Sequence, residues 1–387
     1  MKLRKPMSWF ATGMLLSAVV GCASVAPRVE FSADDQAKAE VVGLEGVRTW
    51  ADAPVGLGLE QWLPPSRDIV MLALSGGADG GAYGAGFLNG WTASESRPSF
   101  SIVSGISTGA LIAPFAFLGP DYDQMLRELY TETSAADVFR LRSPIAGLLG
   151  SSFADTAPMQ RRISELVTPK LLAAIAREHR QGRRLFVVTT NLDAQRAVVW
   201  NMGEIATRND PNALTIFRRV LLASAAIPGV FPPVLIDVEA NGRRFQEMHV
   251  DGGTMTQILT VTEPLLIGGN PPPGRRSLAL YALINKKYDA EFSIVKSNTL
   301  NIINRSFSTI TKSSTKNSII STYNYAKNNN VMFRFTFIGD DFPLDEGKPF
   351  DVEYMGELFG YGYRRAQSAR AWIAAPTLAT RQATAVH

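Results

Sequence analysis

The sequence predicts an α/β fold, a mostly parallel sheet with helices on both faces. Three observations predict it. Residues 68–74 (DIVMLAL) and 185–190 (LFVVTT) are short runs with little polar alternation, as strands buried between helix layers must be. Helical patterns separate such runs, through Phe87, Leu88 and Trp91, and over 214–226. Glycine-rich turns join strand to helix at residues 75–86 and 105–109. Strands alternating with helices give a covered parallel sheet.

The N-terminus is read first. Lys2, Arg4 and Lys5 precede an apolar run over 9–20 that is too short to span a bilayer. Val19-Val20-Gly21-Cys22 follows, and Cys22 is the only cysteine of the chain. The segment resembles a bacterial lipoprotein signal. That implies removal of residues 1–21, lipidation of Cys22, and anchoring to a membrane rather than threading through it. Ala23, standing where aspartate would retain the protein, implies the outer membrane of a Gram-negative cell envelope. Residues 22–66 read as a tether and lead-in, with a short helix over 32–42, and 67–387 as one domain with its core motifs in 68–253. A lone cysteine allows no intramolecular disulfide and no cysteine-based metal site.

The 387 residues are 46% hydrophobic, ample for a large core. A net charge of +4 leaves no nucleic-acid footprint, and a pI near 9.1 favours an anionic surface such as a membrane.

The first core strand ends in Ser75-Gly76-Gly77-Ala78-Asp79-Gly80-Gly81. The spacing gives neither a dinucleotide fingerprint nor a P-loop. A flexible loop, or backbone N–H groups facing a developing oxyanion, remain as readings. Residues 101–106 then run into Gly105-Ile106-Ser107-Thr108-Gly109, a G-x-S-x-G between strand and helix. Such a turn exposes the serine hydroxyl and aims a helix N-terminus at charge forming beside it. The motif alone also suits a plain glycine-rich turn. Asp251-Gly252-Gly253 closes a strand over 245–250, either as a hairpin turn or as the seat of a base.

The three histidines decide between two kinds of serine hydrolase. A serine–acid–histidine triad needs a late histidine. His387 is terminal, His179 lies on a charged helical face, and His249 shares a strand face with Asp251, to orient it or to pack. None fits the triad order.

The ordered set Gly76-Gly77-Ala78, Gly105-Ile106-Ser107-Thr108-Gly109 and Asp251-Gly252-Gly253, with the stretch 223–233 (ASAAIPGVFPP), resembles the patatin-like phospholipases. The resemblance covers about residues 68–253. It implies a three-layer sandwich and a Ser107–Asp251 dyad that uses no histidine. It further implies an oxyanion hole from Gly76, Gly77, Ala78 and Thr108, and hydrolysis of membrane-lipid or other esters without cofactor or metal. Asp79 and Gly80 depart from the family, which carries a cation there. That departure favours an alternative, a weakly active scaffold lipoprotein that binds lipid or protein. It also leads to the expectation that Asp79→Ala or Gly80→Arg leaves activity unchanged or raises it.

The remaining chain completes the alternation. Residues 125–130 read as helix, 198–200 as strand, 277–284 and 331–338 as two further strands, and 354–372 as a closing helix. The apolar loop 143–150 is read as core loop or as a border of an acyl pocket. Residues 292–327, rich in Ser, Thr, Asn and Lys with apolar residues at helical intervals, read as two amphipathic helices with a solvated face.

Overall fold

A computed structural model describes residues 28–64, 68–142, 152–268, 277–343 and 348–376. The signal segment, Cys22, the loop 143–150 and His387 lie outside the described residues.

The strands are β1 (Glu40–Val41), β2 (Arg48–Trp50), β3 (Asp68–Leu74), β4 (Ile102–Ile106), β5 (Arg140–Leu141), β6 (Ala154–Asp155), β7 (Arg184–Asn191), β8 (Arg196–Asn201), β9 (Val234–Ala240), β10 (Arg243–Asp251), β11 (Ser277–Lys287) and β12 (Met332–Ile338). All but the β5–β6 ribbon join one sheet of order β1-β9-β10-β7-β4-β3-β11-β12, with β8 and β2 branching from β7. From β7 to β12 every neighbour is parallel, and these strands carry the expected parallel core. The flank is antiparallel, and two of its pairs are hairpins. Asn241 and Gly242, both at positive φ, turn β9 into β10, and β7 returns directly as β8.

The helices used below are α1 (Gly81–Ala93), α2 (Thr108–Leu118), α3 (Ala213–Ser224), α4 (Thr299–Asn328) and α5 (Val352–Ala366). One core lies between the sheet and α1, α2, α3 and α5, filled by Phe87, Trp91, Phe117, Phe217 and Leu358. A second lies on the opposite face, where Ile319 and Ala326 of α4 pack with Phe186, Val199 and Phe335. The result is a three-layer α/β sandwich, as expected. One expectation is corrected here. Residues 299–328 form a single helix rather than two, because the segment contains no glycine or proline to break it.

Candidate active site

Ser107 stands between β4 and α2 with φ 56° and ψ −125°, a backbone state that costs a non-glycine residue free energy and must be held. Sterics hold it. A Cβ on Gly105 would lie 2.3 Å from the Gly109 carbonyl oxygen, and one on Gly109 would lie 2.4 Å from that of Leu74. The flanking glycines therefore let strand, turn and helix interlock. Ser224, a side chain outside the three motifs, completes the brace. The Ser107 N–H donates to Ser224 Oγ (3.0 Å), whose hydroxyl donates to the Val188 carbonyl on β7 (2.7 Å). Ser224 ends α3 and belongs to the 223–233 stretch.

Asp251 reaches Ser107 through the sheet register. Along one edge of β7, β4 runs parallel up to the pair Ile106–Val188. The next position on that edge, Thr189, pairs with Asp251, the last residue of the antiparallel β10. Two strand ends therefore meet head to head, although Ser107 and Asp251 stand 144 positions apart in the sequence. Gly252 fits the junction, since a Cβ there would come within 2.5 Å of the Val188 carbonyl oxygen. The Asp251 N–H donates to Ala226 O (2.9 Å), and its Oδ1 accepts the Gly253 N–H (2.7 Å). The Ser107 side chain lies close enough to the same carboxylate to lower its pKa. Burial pushes the Asp251 carboxyl up to about 6, while Ser107, the Gly253 hydrogen bond and the Lys286 charge hold it from rising further.

The glycine-rich loop is fixed from β11. Asn285 donates its backbone N–H to Ser75 Oγ (2.9 Å) and its Nδ2 to Ser75 O (2.8 Å). The Gly76 N–H is engaged by Gln257 O (3.2 Å). That corrects its assignment to the oxyanion hole, because a donor already used inside the fold is not free for substrate. No such partner occurs among the described residues for the N–H groups of Gly77, Ala78 and Thr108. Asp79 is half-buried and serves the fold instead. It accepts the backbone N–H of Phe350 (3.2 Å), a residue at φ 56°.

Residues 72–261 match the sequence model of the patatin-like phospholipases. The chain carries a patatin-like phospholipase domain. No curated protein sequence matches the chain. Among solved structures, VipD from Legionella pneumophila is similar at 12% identity and a TM-score of 0.37, covering 78% of this chain and 67% of that one.

Two cavities of the patatin-like domain meet at Ser107 and Ala78. One, about 80 Å³, is apolar and runs between Leu111, Phe115, Ile163, Phe231 and Phe350. The other, about 510 Å³, opens over Asp251 and is lined by Gln257, Lys286, Lys287, Glu291, Arg305 and Lys312. Lys286 Nζ donates to Gln257 Oε1 (2.8 Å), which brings a cation from β11 beside the site although the loop carries none. Neither described histidine hydrogen-bonds to Ser107 or Asp251. His249 is buried, bonded to Thr189 Oγ1 (2.9 Å) and Glu247 Oε2 (3.0 Å), and packs against Trp200. His179 pairs with Glu204 (3.1 Å) between its own helix and the one after β8. The reading of His249 as packed holds, and that of His179 as solvated does not, since its side chain is only 10% exposed.

Proposed function

We propose that this protein is a lipid acyl hydrolase of the phospholipase A or lysophospholipase kind, acting through a Ser107–Asp251 dyad and an acyl-enzyme. The observation that carries the proposal is the buried Asp251 carboxylate beside the strained Ser107, at the meeting of an apolar slot and a polar mouth. The slot suits an acyl chain and the mouth a head group.

Asp251 takes the Ser107 proton as Oγ attacks the ester carbonyl carbon. The tetrahedral oxyanion lies against the N–H groups of Gly77, Ala78 and Thr108, each such donor typically worth about 3–4 kcal/mol in the transition state. The C–O bond to the alcohol breaks, and the alcohol leaves with the proton held by Asp251. Water then gives a proton to Asp251, attacks the acyl carbonyl, and Ser107 recovers its proton as the fatty acid departs. A carboxylate titrating near 6 is a stronger base than an exposed one, yet is ionised at neutral pH.

The alternative, a scaffold that binds without turnover, rested on Asp79 and Gly80. The Phe350 hydrogen bond supports a structural role for Asp79 instead. Ser107→Ala decides between them. It removes hydrolysis of phospholipids and soluble esters, and labelling by a fluorophosphonate, if the proposal holds. Parent protein that hydrolyses neither class and resists the probe sinks it. Envelope anchoring through lipidated Cys22 belongs to the same proposal, and the mass of the mature N-terminal peptide tests it.

A further inference from the structure

The strap 289–298 and the N-terminal half of α4 place large apolar side chains in solvent. Phe292 is 94% exposed, Ile294 85% and Ile310 67%, and Ile302 and Ile303 are more than half exposed. The helix is inverted relative to one that faces water. Its inner positions here are Thr311 and Thr315, both buried, and its outer positions carry the isoleucines.

The strap is pinned rather than trailing. Lys312 Nζ donates to Asp289 O (2.6 Å) and to Glu291 Oε2 (2.5 Å), and Arg305 donates to Glu291 O. Phe292 of the strap and Phe307 of α4 both line the cavity that opens over Asp251, so the apolar face is continuous with the mouth of the site. Charge points the same way. Asp289 and Glu291 at the start of the strap pair with Lys316 and Lys312, and from Phe292 to Gly339 no aspartate or glutamate occurs, which leaves the exposed Lys296 and Lys327 without an acidic neighbour in that stretch. Apolar side chains that enter the acyl boundary, among cations that meet phosphate, form a surface for an anionic lipid layer. No described helix is long and apolar enough to cross a membrane.

We infer that this face docks the domain on an anionic lipid surface, with the cavity mouth turned toward the bilayer. Only the delivery of substrate to Ser107 rests on the acyl-hydrolase proposal; the docking itself does not.

The test uses the full chain carrying Cys22→Ser, so that no lipid anchor contributes, and vesicles of phosphatidylcholine with or without phosphatidylglycerol. The parent should sediment with the phosphatidylglycerol vesicles and much less with phosphatidylcholine alone. Ile294→Ser/Ile302→Ser/Ile303→Ser should weaken that binding about tenfold or more and lower hydrolysis of vesicle lipid alike, with a soluble short-chain ester cleaved at the parent rate. Lys296→Glu should weaken binding only to the anionic vesicles. Vesicle binding by the triple variant equal to the parent's overturns the inference, as does binding indifferent to phosphatidylglycerol. A parent that dimerises through this face and ignores vesicles assigns it to a second copy and also overturns it. If the parent sediments as expected but cleaves neither vesicle lipid nor soluble ester, the docking surface stands and the acyl-hydrolase proposal fails.

Discussion

Ser107 and Asp251 follow and end two strands that stop head to head on one edge of β7, one against Val188 and the other against Thr189. Their proximity is therefore a matter of sheet register. Ser224 binds both the Ser107 N–H and the Val188 carbonyl, tying the elbow to the strand that sets the register.

In the proposed dyad each member acts only through the other, so Ser107→Ala and Asp251→Asn should each lower kcat about a thousandfold or more, and the double variant should be no worse than either. His249→Gln should retain most activity per folded molecule. Kinetics on a soluble ester, normalised to folded protein, check this. Full activity in Asp251→Asn is the contrary result.

Asp251 must be ionised to accept a proton, so the rate should fall as pH drops below about 6. Stability runs the other way. A carboxyl whose folded pKa lies above its unfolded 3.8 favours folding while protonated, and that contribution disappears as pH rises through 6. Asp251→Asn should therefore stabilise the protein above pH 6 by up to about 3 kcal/mol, with the gain vanishing near pH 4. Urea unfolding at several pH values measures it.

The sequence led to the expectation that Asp79→Ala leaves activity unchanged or raises it. The hydrogen bond to the Phe350 N–H reverses that expectation, since Phe350 walls the apolar slot. Losing the acceptor should cost about 1–3 kcal/mol of stability, and should lower kcat/KM for long-chain esters more than for acetates. Asp79→Asn, which keeps an acceptor, should do neither. Gly80→Arg should damage the loop, because a Cβ there would lie 2.2 Å from the Asn285 carbonyl oxygen. A chain-length series of esters separates these outcomes.

Ser224→Ala leaves the Ser107 N–H without its acceptor, at a penalty of about 1–3 kcal/mol. The expected result is a lower kcat with KM little changed, because the elbow loses its tie to β7 while the acyl slot keeps its walls. An unchanged kcat would remove Ser224 from the positioning machinery.

Arg48 of β2 pairs with the fully buried Glu247 of β10, so the lead-in segment fastens the strand that delivers Asp251. Burial alone would raise the Glu247 carboxyl, but the Arg48 charge and the His249 hydrogen bond bring it down to about 2. Arg48→Ala should cost about 3–5 kcal/mol by stranding a buried carboxylate. In the parent, stability supplied by this pair is present above pH 4.5 and is lost as pH falls through 2. Denaturant midpoints across pH test both statements.

What the sequence determined was local. The G-x-S-x-G turn, the apolar strands and the Asp-Gly-Gly stop depend on sterics and periodicity within a few residues, so the elbow, the parallel core and the strand-end positions of Ser107 and Asp251 were legible. The capture of the Gly76 N–H by Gln257, the bracing by Ser224 and Asn285, the cation that Lys286 brings in, and the tie from Asp79 to Phe350 were not. Each joins residues from elements far apart in the chain. An alternating or apolar run announces a strand but not the edge on which it pairs or the register it takes. Only the assembled sheet, packed against its helices, settled that β4 and β10 share one edge of β7 and that their ends meet.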